Sequence, residues 1–259
     1  MSAIRYEFGT GAARITLAAP DRGNSLDPET AEELQGAVRR ARHDNARVVV
    51  LRSEGRSFSV GGDVGSFAAA DDRERLVDDL AETLHRTISD LHRMDAVVLS
   101  VVQGVAAGAG VALAAAADVV LAGESARFTL AYTKLGLSPD GGSSLLTASL
   151  GLHRALHLAL LNPVLSAEQA QAAGLVAEVH PDDDLEAAAD RVLAQLLAGS
   201  RTAQVAAKRL LREVAVPWAE GALRRETLSI RACADGADGR EGVDAFVAKR
   251  PPAFPSAAR

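Results

Sequence analysis

Two hydrophobic periods alternate along this chain. Short β-branched runs at residues 14–17, 48–51, 97–102 and 119–121 predict strands. Between them, residues 28–42 and 72–94 carry apolar side chains at helical spacing, so the first part of the chain predicts an α/β core. The first of these helices has a well-marked start. Asp27 is placed to cap it, Pro28 takes its first position, and Leu34, Ala37, Val38 and Ala41 share one face. Beyond residue 140 the pattern turns helical, over 145–161, 166–173, 185–197, 201–214 and 218–234, with Ser166 and Gln169 at capping-box spacing. The best strand-like run there is 175–180. The organisation expected is an α/β core over residues 1–190 and a helical C-terminal region over 191–259, ending in a loosely ordered Pro-rich tail at 251–255. Neither internal repeats nor low-complexity tracts interrupt it.

Composition narrows the function classes. A chain of 259 residues can bury one large core. Its net charge of −6 and pI near 5.6 argue against a nucleic-acid surface, which normally carries a basic stripe, so an anionic ligand must meet local cations. Cys233 is the single cysteine, which excludes an intrachain disulfide, and the first residues, MSAIRYEFG, lack the apolar stretch of a secretory signal. A reducing cytoplasm is the expected setting. The uncharged stretch 96–117 has the length of a membrane span. It nevertheless changes midway from β-branched to Ala/Gly-rich, with Ser100, Gln103 and three glycines inside it, and reads better as a buried strand leading into a buried helix.

Three segments could carry chemistry. In SFSVGGDVGSF (57–67) the glycines allow close backbone approach with exposed N–H groups, although a plain strand-to-helix loop would look similar. In GVAAGAGVAL (104–113) a strand hands over to an Ala-rich helix whose first N–H groups are free, although tight helix packing also favours small residues. In KLGLSPDGGSS (134–144) Asp140 sits in a Pro-Asp-Gly-Gly turn, as an acid or simply as a helix cap. His153 and His157 share a helical face without a third ligand, and His43, His85, His92 and His180 lie in charged surroundings. No metal site is expected.

Taken in order and spacing, these segments resemble the crotonase superfamily, the enoyl-CoA hydratase/isomerase family. The match runs from PDRGNSLD (20–27) through FSVGGDVGSF, GVAAGAGVALAAAADVVLA and ARFTLAYTKLGLSPDGGSS to the terminal EGVDAFVAKRPPAF. The resemblance implies a β-β-α spiral core, a C-terminal helical trimerisation region, a homotrimer or hexamer, and an acyl-CoA thioester substrate that carries its own CoA. No other cofactor is implied.

By the same resemblance, the N–H groups of Val60 and Ala109 hold the thioester oxygen. Two such donors stabilise an enolate, and losing one costs roughly 2.7–4 kcal/mol. The two positions that carry glutamates in the family's hydratases hold Ala112 and Tyr132 here, whereas Asp140 fills the carboxylate position of its double-bond isomerases and its dehalogenase branch. One carboxylate suits an isomerase, since the same group can take a proton at one carbon and return it at another. Burial beside Phe67 and Leu137 would raise its pKa. Tyr132 is expected to shape the substrate pocket, together with Phe67, Ala112 and Leu137. The backbone of Val60, Gly61, Gly62, Asp63 and Val64 is expected along the CoA path, with Arg22 and Lys249 as phosphate cations. The expected activity is therefore enoyl-CoA isomerisation. An enoyl-CoA hydratase, an aspartyl nucleophile acting on an aryl-CoA, and a silent acyl-CoA binder are the alternatives.

Overall fold

The computed structural model describes residues 2–217 and 219–258. Trp218, where the sequence pattern starts its helix over 218–234, lies outside them. Strands β1 (Ile4–Gly9) and β2 (Ala12–Leu17) form an antiparallel hairpin. Helix α1 (Pro28–His43) then leads to β3 (Val48–Ser53) and β4 (Ser57–Ser59), followed by α2 (Val64–Ala69) and α3 (Arg73–Arg93). The next turn of the chain gives β5 (Val97–Val102), β6 (Val105–Ala107) and α4 (Ala109–Ala115), and the one after it β7 (Val119–Gly123) and β8 (Arg127–Thr129). Helices α5 (Leu146–Leu150) and α6 (Leu152–Leu161), strand β9 (Leu165–Ser166), helix α7 (Ala167–Ala172) and strand β10 (Glu178–His180) complete the core. Helices α8 (Leu185–Ala198), α9 (Arg201–Ala215), α10 (Ala219–Asp235) and α11 (Ala237–Val247) follow.

One sheet has the order β1-β2-β3-β5-β7-β10, parallel beyond the opening hairpin, and a second has the order β4-β6-β8-β9. Successive circuits lay one strand in each sheet, which is the α/β spiral that the resemblance implies. The geometry matters for function because β4 and β6 are parallel neighbours, so the loops leaving their C-terminal ends emerge side by side. Uncharged residues 96–117 form β5, β6 and α4, and no helix among the described residues is long and apolar enough to cross a membrane.

The helix starts follow their sequence signals. The Asp27 carboxylate accepts the Thr30 N–H at 2.8 Å, and Ser166 and Gln169 form the expected capping box. Elsewhere the pattern was misleading. The apolar run 145–161 is not one helix: it is cut by Gly151, at φ 72° and ψ 157°, a conformation that essentially only glycine adopts. Strand β1 and helix α11 lie where no regular element is expected. The tail is anchored rather than loose, because Ala253 N–H donates to Glu241 at 2.7 Å and Ser256 N–H to Asp238 at 3.0 Å.

Candidate active site

The loop after β4 is built by its own hydrogen bonds. Ser59 Oγ donates to Asn24 O at 2.8 Å and accepts the Gly61 N–H at 3.2 Å. Leu26 N–H donates to Gly61 O, and Asp63 N–H to Leu26 O. The Asp63 carboxylate then caps α2 by accepting from Gly65 and Ser66. Gly61 has φ 86°, and a Cβ there would lie 2.7 Å from Ala107 O and 3.2 Å from Ala109 N, so this loop and the start of α4 are in direct contact. Ala109 is the first residue of α4, and its N–H belongs to the helix turn that has no internal acceptor.

Val60 does not fit the expected donor role. Its N–H is given to Gly23 O at 3.0 Å, and the residue, although it lines the same cavity as Gly62, is 42% exposed. The neighbouring Gly62 is the residue of this loop that lines the internal cavity with an N–H that meets no acceptor among the described residues. The signal was present in the sequence, since FSVGGD offers several consecutive amides, but only the hydrogen-bond pattern separates the engaged from the free.

Gly62 and Ala109 face a narrow cavity of about 80 Å³, whose walls also include Val64, Phe67, Tyr132, Leu137 and Asp140. Asp140 is the single carboxylate in that lining. Ala112, expected in the same pocket, is instead behind the Asp140 turn, where it lines a larger cavity of about 510 Å³ with Gly142 and Ile88. The cations of that larger space are already engaged. Lys208 donates to Leu91 O, Ala96 O and Asp118, and Arg212 to Asp118 and Ala116 O. The smaller cavity is the one that brings Asp140 together with Gly62 and Ala109.

Asp140 is 5% exposed. Gly141 and Gly142, at φ 67° and 94°, carry its turn tightly over α4: a Cβ on Gly141 would lie 2.9 Å from Ala109 Cβ. The Asp140 carbonyl, not its carboxylate, serves the turn, accepting from Ser143 N–H, Ser143 Oγ and the Tyr132 hydroxyl. Helix capping is thus not what the side chain does. Instead its Oδ1 lies 3.0 Å from His85 Nε2. That contact is ionic rather than a hydrogen bond, because the Nε2–H aims at Glu226 Oε2, 3.2 Å away, and Oδ1 has no hydrogen-bond donor. Glu226 in turn accepts Gly142 N–H and Ser144 N–H, each at 2.7 Å.

Burial, with the Glu226 charge assisting, raises the Asp140 pKa, while His85 acts against the rise. For His85, burial alone would lower the pKa, but its contacts with Asp140 and Glu226 raise it to about 9, which makes it an imidazolium at neutral pH. Tyr132, pushed well above its ordinary value by burial and by both carboxylates, remains a neutral phenol.

His85 and Glu226 were not foreseen, although the helix pattern contained the signal. His85 falls on the inward face of α3 with Leu84, Ile88 and Leu91, and Glu226 on that of α10 with Leu223 and Ile230. Ionisable residues on such faces are seldom there without partners. The three side chains also form the one grouping of potential metal ligands among the described residues. Glu226 is satisfied by the Nε2 proton and two backbone N–H groups, and Asp140 Oδ1 is met only by the ring, through the ionic contact at 3.0 Å.

The expected CoA cations are separated from the acid. Arg22 pairs with Asp27 and reaches Thr30 at 3.4 Å, leaving 45% of its side chain exposed. Lys249 follows α11 in an exposed turn at φ 52° and makes no ion pair among the described residues.

Comparison with known proteins agrees with this arrangement. The family model described as "Enoyl-CoA hydratase/isomerase" matches residues 7–257. The chain is 39% identical over 252 residues to the "Probable enoyl-CoA hydratase" of Rhodobacter capsulatus, covering 97% of each chain. It is 34% identical over 260 residues to the trans-2-decenoyl-[acyl-carrier-protein] isomerase of Streptococcus mutans, again covering 97% of each. The crystal structure of an enoyl-CoA hydratase from Mycobacterium avium subsp. paratuberculosis K-10 superposes with a TM-score of 0.87 at 34% identity, over 94% of this chain and 98% of that one. With the paired glycine loops, the spiral that juxtaposes them and a match of this extent, the chain belongs to the enoyl-CoA hydratase/isomerase family.

Proposed function

We propose that this protein is an enoyl-CoA double-bond isomerase in which Asp140 carries the proton. The observation that supports it most directly is that the cavity is lined by one carboxylate, itself almost fully buried. The Asp140 carboxylate removes a proton from carbon 4 or carbon 2 of the acyl chain, leaving a dienolate. The free N–H groups of Gly62 and Ala109 donate hydrogen bonds to the negatively charged thioester oxygen. The same carboxyl then returns the proton at the other carbon, so no water is consumed and Asp140 is regenerated. A raised carboxyl pKa suits a group that must both take and give a proton near neutral pH. Tyr132 and Ala112 supply no carboxylate for activating water. The CoA phosphates would meet Arg22 and Lys249, the latter reaching from a neighbouring subunit.

The test is proton NMR in deuterated buffer with 3-enoyl-CoA and 2-enoyl-CoA, comparing wild type with Asp140→Asn. Double-bond migration with deuterium incorporation is expected in the wild type, with a loss of at least 10²-fold in the variant. Hydration of 2-enoyl-CoA that survives the substitution would replace this reading with a hydratase. A covalent adduct on Asp140, seen by mass, would replace it with nucleophilic catalysis.

A further inference from the structure

Behind Asp140, on the side away from the acyl cavity, lies a buried row of side chains that proton shuttling by one carboxylate does not require. His85 Nε2 faces Asp140 Oδ1 and Glu226 Oε2, at 3.0 and 3.2 Å. On the other edge of the ring, Nδ1 lies 3.1 Å from Thr227 Oγ1. Thr227 can accept from Nδ1–H because its own hydroxyl proton has another destination, Glu82 Oε1, at 3.2 Å. With Glu226 ionised, the whole row is satisfied when both ring nitrogens carry protons. The imidazole thus has two donors and is flanked by acceptors on both edges.

We propose that His85 and Glu226 are positioning residues for Asp140: His85 supplies a fixed positive charge against its rear oxygen, and Glu226 ties that charge to the Asp140 turn. This rests on the isomerase reading only for its kinetic consequence. Glu226 joins the two tasks because it bonds both His85 and the N–H groups of Gly142 and Ser144. A displacement of α10 would therefore disturb the turn and the charge together. Removing either partner alone would leave buried charge uncompensated.

The surroundings of His85 sum to a setting that favours the cation. Asp140 and Glu226 face it from the turn and from α10, with the neutral phenol of Tyr132 near both acids. Glu82, on its own helix, is reached through Thr227 and is itself paired with Arg224 of α10. An outer cavity of about 290 Å³ opens behind the ring. Arg39 of α1, Arg86 and Asp90 of α3, and Glu220 of α10 are at its walls, so the cationic groups there are matched by acids. His85 lines this outer cavity while remaining buried, at 5% exposure.

The sign of the effect is fixed by the charge. A cation beside a carboxylate favours its ionised form, so replacing His85 by a neutral group raises the Asp140 pKa further and removes the active base from neutral solution. In His85→Gln the acid limb of the kcat profile for isomerisation is expected to move up by about one pH unit or more, with KM changed less than about threefold. A fall in kcat at every pH, with the limb in place, would mean that His85 only supports the fold, and would overturn the proposal. A second measurement needs no activity. Nitrogen NMR of wild type labelled at histidine is expected to show both ring nitrogens of His85 protonated at pH 7.5, with the signal assigned by its absence in His85→Gln or its shift in Glu226→Gln. A neutral ring would overturn the proposal whatever the kinetics of the variants. A protonated ring combined with an Asp140→Asn variant that retains isomerisation would instead sink the isomerase reading and leave the ion group standing.

Discussion

At the scale of single residues, the contact between the two glycine-rich loops leaves no room for a side chain at one glycine. Gly61 sits at φ 86°, and a methyl group there would be 2.7 Å from Ala107 O and 3.2 Å from Ala109 N. Gly61→Ala must therefore push the α4 start away from the loop that carries Gly62. We expect kcat/KM for isomerisation to fall by about 10²-fold to 10³-fold, the loss typical of one misplaced oxyanion donor. Steady-state kinetics alongside a thermal melt will check it; a variant that melts lower but keeps kcat/KM would show that the two amides do not act together. What the sequence disclosed at this scale was uneven, for a physical reason. Asp140 was legible because a turn rich in glycine advertises itself. Which amide of FSVGGD is free was not, because that depends on Gly23, far away in the chain, having claimed the Val60 N–H. His85 and Glu226 are separated by 141 positions, and their contact exists only once α3 packs on α10.

At the scale of elements, local signals located helix starts well and missed interruptions. Asp27, Asp63, Ser166 and Ser200 all accept the backbone N–H groups of the helices they precede. The break at Gly151 was hidden because the residues on both sides have helical propensity and one period runs into the next. That break has a test. Nothing lies within 4 Å of where a Cβ on Gly151 would stand, so Gly151→Ala meets only the backbone penalty of its conformation, about 1–3 kcal/mol. The melting temperature should fall while KM stays unchanged, since Gly151 is not part of the cavity lining. Unchanged stability would imply that α5 and α6 can fuse without cost, and that the interruption is a matter of sequence history rather than packing. The small second sheet was harder to foresee for another reason: β4, β6 and β8 are three residues each, too short to show a hydrophobic period, and they exist because the longer strands preceding them are already aligned.

At the scale of the whole molecule, the α/β spiral was legible and the surface it leaves open was not. Helix α6 presents Leu152, Leu156, Leu160 and Leu161 at 59%, 43%, 63% and 69% exposure, and α9 presents Leu210, Leu211 and Val214 at 62%, 67% and 73%. The period of these residues announces amphipathic helices, but period alone does not distinguish a face that meets the chain's own core from one that meets another chain. Exposed apolar side chains in such number on helix faces are unfavourable in water and favour association. The family resemblance implies a homotrimer or hexamer, so light scattering is expected to give three or six times the 26.9 kDa of one chain, and Leu156→Asp with Leu160→Asp is expected to dissociate it. A monomeric wild type would contradict the assembly. The dissociated variant also bears on the proposed CoA site: if Lys249 serves the neighbouring subunit, separating the chains should raise KM for the thioester several-fold. The chemistry at Asp140 would be less affected, because His85, Glu226, Gly62 and Ala109 all come from one chain.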